Sequence, residues 1–91
     1  LPILITENGV PAATDEDRWT YIYMHLWQVA RALDEGVPLL GYLYWSLLDN
    51  YEWADGYKPR FGLVGVDYAT QKRTVRRSAR LLSTVIRRGE L

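Results

Sequence analysis

Two short apolar segments alternate with two amphipathic segments along the chain. The first apolar run covers residues 1–6 and the second residues 39–45, and both are apolar at neighbouring positions. A run that is apolar on both faces is typical of a strand in a parallel sheet that is covered on both sides. The sequence therefore predicts two buried parallel strands.

The segments between and after these runs have helical periodicity. Thr14 precedes three acidic residues, as at a helix N-terminus, and Gly36 with Pro38 predicts where that helix ends. Its apolar positions, spaced by three and four, are Trp19, Ile22, Leu26, Val29 and Leu33.

A turn-rich loop over residues 49–59 and a short extension over residues 61–68, with alternating Gly and Val, follow the second strand. A second helix is predicted to begin at Thr74, to end near Gly89 and to have apolar positions at Val75, Ala79, Leu82, Val85 and Ile86.

The order strand, helix, strand, long loop, helix predicts an α/β fold with right-handed crossovers. Two helices can cover only one face of two strands, so the other face is expected to stay bare. The apolar residues concerned are Ile3, Ile5, Leu43, Trp45 or their neighbours. We therefore expect residues 1–91 to be a piece of one larger domain, without an internal domain boundary.

Composition excludes several classes of protein. The chain is 48% hydrophobic, 24% charged and 13% aromatic, as expected of a globular protein. No apolar run approaches the ~20 residues of a membrane span, so no membrane contact is expected. Without cysteine, and with His25 as the single histidine, no metal site is expected. No signal peptide is recognisable in these residues, which do not include the N-terminus of the full protein, and the expected location is cytoplasmic.

Charge is distributed unevenly. Residues 1–57 carry nine acidic and two basic residues, whereas residues 58–91 carry nine basic and two acidic ones. Such asymmetry can indicate nucleic acid binding. However, no aromatic residues interleave with the arginines predicted for the solvent face of the last helix, Arg73, Arg76, Arg77, Arg80, Arg87 and Arg88. A solvated exterior is therefore favoured over a nucleic acid interface.

Polar residues gather where each predicted strand ends. They are Glu7 and Asn8 after the first strand, and Trp45, Ser46, Asp49, Asn50 and Glu52 after the second. This edge of a parallel sheet is where active sites form. Glu7 suits catalysis because desolvation would shift its pKa, although capping a helix or pairing with an arginine is an equal alternative. Trp45 and Trp53 beside Glu52 could stack on a sugar, or could form a bulky core under the loop.

Residues 5–9, Ile-Thr-Glu-Asn-Gly, resemble the I/V-T-E-N-G motif of the family 1 glycoside hydrolases, the retaining β-glucosidases and β-galactosidases. Residues 44–57, 60–64 and 66–68, and residues 72–74 with 78–79, resemble the C-terminal blocks that follow in that family, in the same order and spacing. The resemblance implies a TIM (β/α)8 barrel, of which this chain supplies strands and helices seven and eight, the C-terminal quarter.

The resemblance also implies roles for individual residues. Glu7 matches the catalytic nucleophile, and Trp45 matches the indole platform under the sugar. Glu52 matches the carboxylate that accepts hydrogen bonds from sugar hydroxyls, with the indole N–H of Trp53 beside it, and Phe61 lines the same pocket. Supporting positions are Asn8, Ser46 and Asn50. The Trp45–Ser46 peptide bond is expected to be cis, as in many relatives.

Departures from the family pattern limit these implications. Relatives that cleave 6-phosphorylated glycosides have serine, lysine and tyrosine where this chain has Glu52, Pro59 and Phe61, so an unphosphorylated β-glucoside or β-galactoside is the expected substrate. The N-E-P motif with the acid/base glutamate is absent, so the chain alone is expected to be inactive. The expected partner is the N-terminal remainder of the barrel, and no cofactor is implied. The alternative is a non-catalytic fragment that binds sugar or protein weakly.

Overall fold

The computed structural model describes all residues from Leu1 to Leu91. Two helices and four short strands follow one another along the chain. They are β1 (Ile3–Ile5), α1 (Asp15–Asp34), β2 (Leu39–Tyr42), β3 (Val64–Val66), β4 (Arg73–Val75) and α2 (Arg77–Arg88), with a single 3-10 turn at Trp53–Asp55 between β2 and β3.

β1 and β2 pair in parallel, which confirms the predicted βαβ unit. Ile3 lies opposite Leu39 and Ile5 lies opposite Tyr42. The ladder continues beyond the regular strands, because the N–H of Leu43 donates to the carbonyl of Ile5 at 2.9 Å. Both strands are shorter than the apolar runs that predicted them.

The first helix has the predicted ends. The Thr14 hydroxyl accepts a hydrogen bond from the N–H of Asp17 at 3.1 Å, so Thr14 is the N-cap. After the C-cap residue Glu35, Gly36 has a φ of +88°, a conformation that ends many helices because glycine reaches it without steric cost. The helix spans 20 residues.

The second helix begins later than predicted. Its first residue is Arg77, because residues 73–75 form β4 and pair antiparallel with β3, with Val64 opposite Val75. The Gly-Val alternation of residues 61–68 is the other half of this hairpin. The prediction that Thr74 and Val75 are helical was therefore wrong. These β-branched residues pair with β3 instead, in the extended conformation that such residues favour. The helix ends at Gly89 in a left-handed conformation, as predicted.

Asp15 joins the N-terminal ends of the two helices. Its carboxylate accepts hydrogen bonds from the Ser78 N–H at 2.8 Å and the Ser78 hydroxyl at 2.7 Å, and it pairs with Arg18 at 2.9 Å. Burial by itself raises the pKa of Asp15, but the contacts with Ser78 and Arg18 outweigh it and lower that pKa. A carboxylate in the first turn of α1 thus also accepts a hydrogen bond from a backbone N–H in the first turn of α2, which has no partner within its own helix.

The molecule has little apolar interior. Only Ile22, Val66 and Leu82 form a buried apolar core. The radius of gyration is 14.3 Å, against about 12 Å for a compact domain of this length. As predicted, sheet residues are bare: Ile3 is 46% exposed and Leu43 is 53% exposed. Neither helix has the long apolar stretch needed to cross a membrane.

Candidate active site

Glu7 stands directly beyond β1, where the chain is held against the continuation of β2. The N–H of Trp45 donates to the carbonyl of Asn8 at 3.0 Å. Gly9 fits closely here, because a Cβ at this position would overlap with the carbonyl oxygen of Trp45. The predicted meeting of the two strand ends is therefore a direct contact between residues 7–9 and Trp45.

An open cavity of about 360 Å³ lies at this edge of the sheet. Its lining residues are Glu7, Asn8, Gly9, Tyr21, Trp45, Glu52 and Phe61. The structure thus brings together four residues that the sequence analysis assigned to catalysis or sugar contact: Glu7, Trp45, Glu52 and Phe61. A fifth, Trp53, does not line the cavity.

Glu52 and Trp45 contact each other across the cavity. The indole N–H of Trp45 lies 3.4 Å from Oε1 and 3.3 Å from Oε2 of Glu52. Trp53 lies in the 3-10 turn and is 82% exposed. The indole that approaches Glu52 in this structure is therefore that of Trp45 rather than that of Trp53.

Ser46 and Asn50 brace the turn between Trp45 and Glu52. The buried Ser46 hydroxyl donates to the carbonyl of Leu48 at 2.8 Å, and the Asn50 amide donates to the same carbonyl at 3.2 Å. The Trp45–Ser46 bond is cis, as expected. These two supporting residues act on the backbone of the turn and do not line the cavity.

Asp49 anchors the same turn to the β3–β4 hairpin, a role that the sequence analysis did not assign. Its side chain is fully buried, pairs with Arg76 at 2.9 Å and with Arg60 at 3.2 Å, and accepts hydrogen bonds from the N–H groups of Gly62 and Val66. Burial by itself raises the pKa of Asp49, but the Arg76 guanidinium and the two N–H groups outweigh it and lower that pKa to about 2.

The Arg76 contact corrects one prediction. Arg76 was expected on the solvent face of the last helix, but its guanidinium turns inward to Asp49, and Arg73 lies in β4. A buried carboxylate needs a cation, and Arg76 is placed where the hairpin meets α2. No spacing rule links Asp49 to a residue 27 positions later, so the sequence carried no signal for this pair.

Three tyrosines complete the surroundings of the site and were also missed. Tyr21 lines the cavity from α1. The Tyr42 hydroxyl donates to Oδ1 of Asn8 at 2.8 Å, and the Tyr44 hydroxyl donates to the carbonyl of Phe61 at 2.8 Å. Burial raises the pKa of Tyr42 and of Tyr44, so both are neutral donors at neutral pH. Alternation along the predicted second strand, residues 39–45, could have grouped Tyr42 with Tyr44.

No three side chains of His, Asp or Glu lie close enough together to hold an ion. The polar groups of the cavity are the carboxylates of Glu7 and Glu52, the Trp45 indole, the Asn8 amide and the Tyr21 hydroxyl. Active sites of α/β barrels lie at the C-terminal ends of the strands, which is where this cavity lies.

Comparison with known proteins identifies the family. The profile of glycosyl hydrolase family 1 matches residues 1–91, so the chain belongs to this family. It is 46% identical over 92 residues to the galactolipid galactosyltransferase SFR2 of Arabidopsis thaliana, covering 100% of the chain and 15% of that protein. It is 47% identical over 87 residues to a β-galactosidase of Sulfolobus acidocaldarius, covering 96% of the chain and 18% of that protein.

A solved structure gives the architecture. The family 1 β-glucosidase from Thermotoga maritima superposes with a TM-score of 0.92 at 46% identity, covering 99% of this chain and 22% of the other. The chain therefore spans less than a quarter of the length of these relatives. Because the solved relatives are TIM barrels, the chain is a partial piece of such a barrel.

Proposed function

We propose that this chain supplies the nucleophile and part of the glycone-binding pocket of a retaining β-glycosidase acting on unphosphorylated β-glucosides or β-galactosides. It would form strands and helices seven and eight of the barrel. The observation that carries the proposal is the single cavity in which Glu7 lies with Trp45, Glu52 and Phe61. Membership of the family supports the reaction class.

Three of the lining residues have a chemical task in this reaction. An oxygen of the Glu7 carboxylate attacks the anomeric carbon as the bond to the leaving oxygen breaks, forming a glycosyl ester. Water then attacks the same carbon and releases Glu7, so the configuration is retained. The Trp45 indole offers its face to the apolar side of the sugar, and Glu52 accepts hydrogen bonds from sugar hydroxyls.

The second carboxyl group of the reaction must come from elsewhere. Retaining hydrolysis uses two carboxyl groups about 5 to 5.5 Å apart, one of them protonating the leaving oxygen. Glu52 faces the Trp45 indole N–H and suits hydroxyl recognition better than proton donation. We therefore assign the acid/base to the N-terminal remainder of the barrel, the partner that this chain requires for turnover.

Glu52 also supports an unphosphorylated glycone. It is a carboxylate in the wall of the cavity, so it repels a phosphate group carried by the sugar. Pro59 and Phe61 add no cation at the positions where phosphate-binding relatives have lysine and tyrosine.

Replacement of the nucleophile tests the proposal. In the complete barrel, Glu7→Ala is expected to lower turnover at least about 10⁴-fold, since the reaction loses its covalent step. Azide should restore turnover of an activated aryl glycoside, because it occupies the vacated space, attacks the anomeric carbon and gives the α-glycosyl azide. Glu90→Ala, at an exposed site, is the control. Turnover of Glu7→Ala without azide would contradict the assignment.

Replacement of Glu52 tests substrate recognition separately. Glu52→Gln keeps the shape but loses the charged acceptor, so kcat/KM on glucosides and galactosides is expected to fall about 10- to 100-fold. Glu7 should still become glycosylated when a fluorinated substrate analogue is supplied. Unchanged kinetics on both sugars would rule out this role for Glu52.

A non-catalytic binding module is the second candidate, and the bare sheet favours it. Leu40 is 72% exposed and Leu43 is 53% exposed, as on a surface that binds another protein. Native mass spectrometry of the preparation separates the two candidates. A complex with a second, unlike chain supports the split enzyme, whereas a lone species of 10.6 kDa supports the module.

A further inference from the structure

Asn8, the residue after Glu7, is held by both its main chain and its side chain. Its carbonyl accepts a hydrogen bond from the N–H of Trp45 at 3.0 Å. Its Oδ1 accepts a second hydrogen bond from the Tyr42 hydroxyl at 2.8 Å. Both donors belong to β2 or to its continuation, so Asn8 cannot move relative to β2 without breaking both bonds.

Glu7 itself has no comparable restraint within the chain. It is exposed, and none of the five ion pairs includes it. Its direction is therefore set by the backbone on which it stands. A nucleophile must approach its target to about 3–3.5 Å with the correct orientation, and an error of about 1 Å can cost about 100-fold in rate.

Tyr42 lies outside the cavity. It lines a groove between the sheet and α1 together with Ile5, His25 and Leu39, whereas Glu7 lines the cavity at the strand ends. A sugar in the cavity would not contact the Tyr42 ring. Asn8 lines both the groove and the cavity and accepts the hydrogen bond of the Tyr42 hydroxyl, so it is the link between Tyr42 and the site.

We propose that Tyr42 is a positioning residue for Glu7: its hydroxyl fixes Asn8 and thereby the backbone from which the nucleophile projects. This inference rests on the proposed function of Glu7. The half-buried setting suits the task, because a hydrogen bond shielded from water holds its geometry better than an exposed one. Tyr42 would act on the rate of attack and not on sugar binding.

The test measures covalent labelling of Glu7 in the complete barrel. A 2-deoxy-2-fluoroglycosyl fluoride traps the first step: an oxygen of Glu7 bonds to the anomeric carbon, and fluoride leaves with the electron pair. Tyr42→Phe is expected to slow labelling about 10- to 100-fold. The inhibition constant of the free sugar should change less than about twofold, since Trp45, Glu52 and Phe61 remain. Labelling at the wild-type rate would overturn the proposal.

Tyr44→Phe is the matched comparison. It removes another hydroxyl from the same segment, one that donates at the same distance of 2.8 Å, but to the carbonyl of Phe61. We expect it to weaken binding of the free sugar through Phe61 and to leave the labelling rate at saturation within about threefold of wild type. Equal slowing of labelling by both variants would show general loosening and contradict a specific role of Tyr42.

A double-mutant cycle tests whether Tyr42 acts through Asn8. If it does, Tyr42→Phe combined with Asn8→Ala should label no more slowly than the slower single variant. Additive losses would overturn the proposal. Asn8→Ala keeps the backbone bond to Trp45 and tests the link alone if Tyr42→Phe does not fold; labelling at the wild-type rate would again count against it. Absence of labelling in the wild-type barrel would instead contradict the proposed function.

Discussion

Two regions of the chain differ in how many of their side chains find a partner or become buried within the chain. The first, called here the polar seam, consists of Asp15 with Ser78 and of Asp49 with Arg60 and Arg76, and every one of its carboxylate oxygens has a partner within the chain. The second is the β1–β2 sheet, whose backbone is paired but whose apolar side chains are largely bare.

The difference separates two tasks. Only Arg18 Nε and Asn50 Oδ1 are buried polar side-chain atoms without a partner, so the polar contacts that shape the site lie almost entirely within these 91 residues. The apolar burial that stabilises a fold does not, since three apolar residues form the whole core. The residues of this chain thus fix the geometry of the site among themselves. The apolar burial that would stabilise the fold must come from contacts with the rest of the barrel.

The largest expected effect is on activity. The 91-residue chain alone should give no measurable turnover of an aryl β-glucoside, because the chain spans less than a quarter of its relatives and the proposed acid/base lies in the N-terminal remainder. Addition of the separately prepared N-terminal remainder should restore turnover, which a release assay for the aryl alcohol would measure. The remainder mixed with the Glu7→Ala chain is the control. Turnover by the chain alone would remove the contrast between the two regions.

A substitution in the bare sheet tests the same contrast through stability. Leu40 is 72% exposed in this chain. Leu40→Ala should therefore change the stability of the chain alone by less than about 0.5 kcal/mol. In the complete barrel the same change should cost about 2 to 5 kcal/mol, because a buried leucine then leaves a cavity. Urea unfolding of both preparations measures the two values, and equal losses would contradict the interpretation of the sheet.

Removal of the Asp49 charge should weaken the polar seam. Asp49→Asn leaves the guanidinium groups of Arg60 and Arg76 without their shared carboxylate. We expect a loss of about 3 kcal/mol, at the low end for a broken buried ion pair, because both arginines keep some contact with water. Thermal unfolding of the complete barrel measures the loss. Asp34→Asn, on the exposed end of α1, should be neutral and is the control.

Acid should reveal the same carboxylate. The pKa of Asp49 is about 2 in the folded chain against an ordinary value of 3.8, so the folded state binds the proton less readily than the unfolded state. Its contribution is complete above about pH 4 and is lost as pH falls through about 2, amounting to about 2 kcal/mol. Unfolding free energies measured from pH 5 to pH 2 should show this loss, and Asp49→Asn should lack that part of it.

Local patterns account for what the sequence could predict. The Thr14 cap, the end of α1 near Gly36 and the parallel pairing of two apolar runs each depend on neighbouring residues or on a short period. The cavity could be predicted in part for the same reason, since Glu7 and Trp45 follow strands whose carboxyl ends must meet. Family resemblance then gave Glu52 and Phe61 their tasks.

What the sequence could not predict depends on contacts between distant residues. The spacing of apolar residues around Val75 predicts a helix, but Val75 pairs with Val64 in a hairpin. No local pattern in the sequence indicates that pairing. The same holds for Asp49 with Arg76 and for Tyr42 with Asn8, which are 27 and 34 positions apart. Hydrogen bonds of this kind become visible only when the fold has placed both partners.

The Asp15–Ser78 contact, across 63 positions, provides the smallest test. Ser78→Ala removes the hydroxyl that donates to Asp15 and should cost about 1.5 kcal/mol, the lower value for a hydrogen bond to a charged group, since the Ser78 N–H still donates. Ser83→Ala in the same helix is exposed and gives the gain in helix propensity alone, so the difference between the two variants isolates the hydrogen bond. Thermal unfolding of both variants in the complete barrel measures that difference. Equal melting temperatures would show that the polar seam gains nothing from this hydroxyl, and Asp49 with its arginines would then account for its contribution.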